Sequence, residues 1–144
     1  MGLIETASGN SVWRGMDYYN DKKVISWVKS GETTYDGIVS GSGDNRYQVH
    51  IDKAHARKST CNCPFAEERR VVCKHMIALY FTAEPKAVKN FLKQAEEWER
   101  EEEERQQEEY EQLVHYVNKL SKAELQQQLL DALQELNDIR NRYW

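Results

Sequence analysis

The sequence of 144 residues predicts an α+β fold, in which a small antiparallel β-meander precedes a series of helices. Two observations lead to this prediction. Apolar residues alternate with polar ones in the first third of the chain and recur at helical spacing in the last half. All three cysteines lie beside one histidine where the two patterns meet, which indicates a site that orders this junction.

The strands of the meander are predicted from three segments rich in β-branched and aromatic residues, which turn residues separate. They read KVISWVKS (23–30), TTYDGIVSG (33–41) and RYQVHID (46–52). In the third segment every second residue is apolar, so we expect one buried and one solvated face. The aromatic residues expected in its core are Trp13, Tyr18, Tyr19 and Trp27.

The helical pattern begins after Cys73, where apolar residues share helical faces as far as Phe81. Pro85 suits the first turn of a further helix. The sequence SKAE at 121–124 is a capping box, which predicts the start of a last helix. That helix carries an apolar stripe, which consists of Leu125, Leu129, Leu130, Leu133, Leu136 and Ile139.

Charge divides the chain into two unlike parts. Residues 1–90 hold 13 Lys and Arg against 10 Asp and Glu, whereas residues 91–144 hold 7 against 14. This asymmetry predicts a near-neutral folded part followed by a strongly acidic arm. We therefore expect two domains: a finger domain with N-terminal strands over residues 1–85, and an acidic helical tail over residues 86–144, in which the two helices form a hairpin.

Composition argues against several classes of protein. The start of the chain has no apolar segment typical of a secretory signal, and the longest purely apolar run, MIALYF, is six residues. We therefore expect a cytoplasmic protein with no membrane partner, whose cysteines stay reduced. No glycine-rich phosphate loop, phosphate-binding lysine motif or pair of catalytic carboxylates is apparent. We thus expect no enzyme and no small-molecule substrate.

The four clustered residues have the chemistry of a structural zinc site. Zn²⁺ prefers four thiolate and imidazole ligands in a tetrahedral arrangement, and Cys61, Cys63, Cys73 and His75 supply three thiols and one imidazole. Because neighbours two apart in a strand point to opposite faces, the chain must bend between the first two cysteines. The last cysteine is expected just before a helix, with the histidine in its first turn.

Two other interpretations of the cluster stay open at this point. The three cysteines and the histidine are also compatible with a core in which cysteine serves only as a small apolar residue. Alternatively, a cysteine and histidine pair could activate a thiolate for redox or nucleophilic chemistry. Neither alternative explains why every cysteine of the chain lies at short paired spacing near one histidine, so the zinc site is the favoured interpretation.

The cysteine spacing resembles the SWIM-type zinc finger family, whose pattern is C-x-C, a variable gap, then C-x-H. In this chain the pattern is CNC (61–63) and CKH (73–75). The upstream segments RGMDYYNDKKV, DGIVSGSG and RYQVHI look like the strands that precede the finger in bacterial members, and CKHMIALYF looks like the helix that follows it. The resemblance implies a zinc-stabilised ββα module after the meander, and it implies binding to nucleic acid or protein.

Two partners are compatible with these features. Basic side chains flank the ligands and predict weak contact with nucleic-acid phosphates, DNA among them, without base specificity. These residues are Arg57, Lys58, Arg69, Arg70 and Lys74. Glu67 and Glu68 could instead neutralise the neighbouring arginines. The alternative function is a protein-protein interaction adaptor that uses the leucine-striped helices of the tail, in which case zinc is purely structural.

Overall fold

The structure is a computed structural model that describes residues 2–143. The chain forms two compact units, which divide between Gln94 and Ala95. Ten elements follow one another along the chain: α1 (Leu3–Thr6), α2 (Gly9–Asn20), β1 (Val24–Lys29), β2 (Thr34–Ser40), β3 (Arg46–Asp52), a 3₁₀ turn (Ala56–Lys58), β4 (Thr60–Cys61), α3 (Lys74–Ala83), α4 (Pro85–Asn118) and α5 (Lys122–Tyr143). The predicted α+β class is confirmed.

The first unit contains a four-stranded antiparallel sheet in the order β1-β2-β3-β4. The register places Tyr35 opposite Ile51 and Val39 opposite Tyr47, as the alternating pattern predicts for one shared face. On that face Tyr35, Val39, Val49 and Ile51 are buried and Tyr47 is partly buried, and α3 packs against them. The helix that follows the cysteines is therefore covered by the sheet on one side.

Helix α2 corrects the expectation that the segments before residue 24 are strands. Residues 9–20 form a helix because Ser8 caps it: its side chain accepts a hydrogen bond from the backbone N–H of Ser11. The buried residues Val12, Gly15 and Met16 lie at helical spacing and face α3. The aromatic residues in this segment had favoured a strand, but tertiary packing decides otherwise.

The expected core aromatics are also corrected in part. Trp13 is 49% exposed and Trp27 is 41% exposed, so both lie at the margin of the core, whereas Tyr18 and Tyr19 pack partly buried against it. Trp13 contacts Phe91 edge-on with ring centroids 5.0 Å apart. Large amphipathic rings often remain at the rim because their size exceeds what a small core encloses.

The centre of the core is α3 together with the start of α4. Met76, Ile77, Leu79 and Phe81 have no exposed surface. Phe91 is also buried, and its ring centroid lies 6.0 Å from that of Phe81. The first turns of α4 thus contribute apolar surface to the first unit. This contribution was not expected from the sequence, because the later turns of α4 are strongly acidic.

The second unit consists of the rest of α4 and all of α5, which confirms a helical C-terminal region. The capping box is formed, since the N–H of Glu124 donates to Ser121 Oγ at 3.2 Å and the N–H of Ser121 donates to Glu124 Oε1 at 3.4 Å. In this region Leu113, Val114 and Val117 of α4 are at least 40% exposed, and no residue of α5 that the structure describes is buried. The segment 2–143 holds no helix with the length and apolarity that crossing a bilayer requires.

Candidate metal centre

Four side chains from three parts of the first unit meet at one point. Cys61 ends β4, Cys63 lies in the turn that follows, Cys73 is the N-cap of α3, and His75 is in its first turn. Their potential ligand atoms all lie within 4.8 Å of one another, and every one of the four residues is buried. This is the arrangement that the spacing of the cysteines and the histidine predicts.

The distances within the cluster suit one tetrahedral ion. His75 Nδ1 lies 3.8 Å from Cys61 Sγ and 3.8 Å from Cys73 Sγ. With zinc–ligand bonds of roughly 2.0–2.3 Å, two ligand atoms of a tetrahedral zinc site are about 3.6–3.8 Å apart. The donor atoms therefore need little movement to hold zinc, and all four positions are filled by protein.

The bend between the first two cysteines is made by Asn62. Its backbone N–H donates to the Gln48 carbonyl, and its side-chain Oδ1 accepts from the Gln48 N–H at 2.9 Å. The side chain thereby takes over a backbone hydrogen bond of the sheet, so the chain can leave β4 without an unpaired amide. The carbonyl of Cys63 then accepts from the N–H groups of Ala66 and Glu67, which closes a tight turn.

Ionisation of one thiol in this cluster disfavours ionisation of the other two. The Cys61 thiol donates a hydrogen bond to Cys73 and, with help from His75, lowers the pKa of Cys73 to about 4 despite its burial. The same hydrogen bond and burial raise the pKa of Cys61, and burial beside the Cys73 thiolate raises that of Cys63. A divalent ion in the cluster would stabilise all three thiolates. The donor set therefore fits zinc.

His75 is fixed by packing rather than by a second hydrogen bond. Its ring lies 4.6 Å from the Tyr47 ring and 5.3 Å from the Tyr18 ring, measured between centroids. Among the described residues, its buried Nε2 has no hydrogen-bond partner, whereas Nδ1 faces the thiols. When Nδ1 is a metal ligand, the ring proton resides on Nε2. Sequence reasoning did not place these two tyrosines beside His75, because they come from α2 and β3, distant along the chain.

The fold and the donor set define a Cys₃His zinc finger assembled at the edge of a sheet and the start of a helix. Residues 47–84 match the family model for the SWIM zinc finger. This segment is a SWIM-type zinc finger and covers less than half of the chain. It includes all four ligands, which are positioned to bind a zinc ion. No curated protein and no solved structure matches the chain significantly.

The structure gathers some of the flanking basic residues but not all of them. Arg57, Lys58 and Arg70 line one open groove of about 870 Å³, which Glu5 also lines. Arg70 also lines a second groove of about 710 Å³, together with Arg69, over the outer face of the sheet. Four of the five basic residues therefore lie along two grooves that Arg70 joins; this concave path is called the arginine groove below.

Lys74 lies apart from the arginine groove. It lines a smaller cleft beside the zinc ligands together with Arg14, and its Nζ lies 4.9 Å from the centre of the Tyr18 ring. Glu67 and Glu68 line the same groove as Arg69, yet no ion pair within residues 2–143 involves either glutamate. Neutralisation by direct pairing, one of the two expectations for these arginines, is not observed.

Proposed function

We propose that the first unit binds nucleic acid weakly and without base specificity through the arginine groove, with zinc as a structural ion. The observation that carries the proposal is the convergence of Arg57, Lys58 and Arg70 on one open groove. Their side chains are exposed and join no ion pair among the described residues, so they are free to contact phosphates. The role is one of binding, without a catalytic step.

Zinc supports this role by holding the two sides of the groove. Arg57 and Lys58 lie shortly before Cys61, and Arg69 and Arg70 lie shortly before Cys73. The two basic pairs therefore belong to the two chain segments that the ion would join. Structural zinc contributes folding free energy to small modules, and phosphate contacts set position without reading bases. Affinity is expected to be modest, since the acidic residues Glu5, Glu67 and Glu68 share the grooves.

The test is the salt dependence of binding to single-stranded and duplex DNA, measured by fluorescence anisotropy on the zinc-loaded chain of 144 residues. Each phosphate contact contributes about 0.9 to the slope of log affinity against log salt on duplex DNA. The double substitution Arg57→Ala with Arg70→Ala should lower that slope by up to about 1.8, with the zinc content unchanged.

The matched control is Lys29→Ala with Arg46→Ala, which removes the same charge from exposed positions that line neither groove. It should leave the slope close to that of the unsubstituted protein. Equal losses in the two double variants would assign binding to overall charge rather than to the groove. Absence of binding at low salt would refute the proposal.

A second candidate function is protein-protein interaction through the C-terminal helices. The observation that favours it is the exposure of the leucine stripe, since large apolar stripes in water usually mark a contact surface. In this role the zinc finger would be a structural domain that carries the helices.

A further inference from the structure

The apolar residues of α5 follow a heptad pattern. They are separated alternately by four and three residues, the spacing of the a and d positions of a coiled coil. This set, called the α5 seam below, consists of Leu125, Leu129, Ala132, Leu136, Ile139 and Tyr143. Leu133 lies next to the seam and widens it on one side. No charged residue interrupts the seam over the three heptads that it spans.

Among residues 95–143, which the structure describes in the second unit, none covers this seam. Leu129 is 61% exposed, Leu136 is 62% exposed, and Ile139 is 51% exposed. In the described part of the second unit, α4 and α5 do not pack against each other along their lengths. Helices gain most of their stability from burying an apolar face, so we expect an uncovered apolar seam of this length to bind a partner.

We propose that the α5 seam binds the α5 seam of a second copy of this chain, with the two helices antiparallel. The interaction goes beyond the proposed binding of nucleic acid and names the partner for the second candidate function. A two-fold symmetric contact requires a self-complementary surface, in which each residue pair occurs twice. A parallel and an antiparallel pair of α5 helices can both be two-fold symmetric, so symmetry alone does not set the direction.

Side-chain size distinguishes the two directions. Antiparallel pairing that centres on the seam places Ala132 opposite Leu136 of the second copy, so a small residue meets a large one in two adjacent layers. Leu133 then lies opposite Leu133 of the second copy and is covered as well. Parallel pairing would place Ala132 against itself, which leaves a gap, and Leu133 against Gln128.

The acidic segment of α4 favours the same direction. The α4 segment 95–118 holds ten glutamates against two arginines, whereas α5 holds four acidic against three basic residues. Parallel pairing of α5 would bring both acidic segments to one end. Antiparallel pairing separates them by the length of α5, about 33 Å, which is several times the Debye length of about 8 Å at physiological salt. Two copies can therefore pair through the near-neutral helix α5 with little electrostatic repulsion.

The test measures the mass of the zinc-loaded chain of 144 residues by sedimentation equilibrium over a range of concentrations. A dimer is expected. Leu136→Glu should raise the dissociation constant at least about a hundredfold, because it would bury an unpaired carboxylate. Leu113→Glu is the matched control, since Leu113 is equally exposed at 62% but lies on α4 outside the seam. This control should remain dimeric.

The direction is tested by disulfide cross-linking with oxidised glutathione. Leu133→Cys should cross-link, because antiparallel pairing places the residue opposite itself, whereas Leu125→Cys should not. The unsubstituted protein gives the background from its three buried cysteines. A protein that stays monomeric, or a dimer that persists in Leu136→Glu, overturns the proposal, and preferential cross-linking through Leu125→Cys overturns its antiparallel form. Zinc content and nucleic-acid binding should not change in Leu136→Glu, so failure here is distinct from failure of the nucleic-acid proposal.

Discussion

Gly15 of α2 lies directly against Ile77 of α3. A Cβ atom at Gly15 would be 2.5 Å from the Ile77 Cβ and 2.9 Å from the carbonyl oxygen of Lys74. Real side chains do not approach so closely, so only glycine allows the two helices to cross here. Since α3 begins at the zinc ligands, this crossing also sets the position of Cys73 and His75 relative to α2.

Gly15→Ala should therefore destabilise the first unit. The added methyl group would force apart α2 and α3, at a cost of about 1–3 kcal/mol in the free energy of unfolding. The gain in helix propensity of about 1 kcal/mol offsets this only in part. The measurement is urea unfolding followed by circular dichroism. Gly9→Ala is the control, because no atom lies within 4 Å of a Cβ at Gly9. Equal stability of both variants would contradict the close crossing.

Cys73→Ser should remove both the metal and the folded finger. Cys73 is one of the four ligands, so its loss leaves only three, whereas serine remains a favourable N-cap residue for α3. Mass spectrometry of the native protein should find one zinc per unsubstituted chain and none in the variant. Thr60→Ser, at the exposed neighbour of Cys61, should retain one zinc. Normal folding of a metal-free Cys73→Ser protein would refute a structural role for the ion.

Asp52 should make stability depend on pH. Burial raises the pKa of its carboxyl group, but hydrogen bonds from Thr33 Oγ1 and from the N–H groups of Ala54 and His55 outweigh burial, so the pKa is lowered. A lowered pKa stabilises the folded state above the unfolded pKa of about 3.9, and this stability is lost as pH falls through the folded pKa.

Asp52→Asn tests this dependence, because an amide oxygen keeps the acceptor but not the charge. The variant should be less stable by about 1–2 kcal/mol at neutral pH. The difference from the unsubstituted protein should shrink as the pH falls below about 4. Chemical unfolding at a series of pH values measures it, and the exposed Asp44→Asn serves as the control. A difference that is constant with pH would show that the charge does not matter.

Phe91 should be needed for the stability of the finger although it lies beyond the domain boundary expected from the sequence. Phe91→Ala should cost about 3–5 kcal/mol in the free energy of unfolding, because the ring is buried against Trp13 and Phe81. Leu92→Ala, the neighbouring residue with 42% exposure, should cost much less. Thermal unfolding compares the two variants, and similar melting temperatures would count against this packing.

The sequence predicted the parts of the structure that depend on local pattern. The ligand set Cys61, Cys63, Cys73 and His75 was recognisable because its chemistry needs four donors at short spacing, and the family match confirms it. The strands followed from period-two alternation, as in β3, and the last helix from its capping box. In each case the signal lies within a few neighbouring residues.

The parts that the sequence concealed depend on contacts between distant segments. Residues 9–20 carry aromatic side chains with β propensity, and the packing of Gly15 against α3 makes them helical. Likewise, Lys74 follows the ligand Cys73 in sequence, but the helix turns its side chain toward Tyr18 and away from the arginine groove. Spacing along the chain reveals chemistry, whereas the direction of a side chain is decided by the fold.

The deep burial of the ligands has a consequence for the rate at which metal exchanges. Each ligand residue is 4% exposed or less, so a chelator in solution has little access to the ion while the finger is closed, apart from the small cleft that three of the ligands line. Release then waits for a local opening between β4 and α3, and its half-life reflects that opening rather than the affinity of the competitor. We expect zinc loss from such a finger to be slow and to depend little on the concentration of chelator.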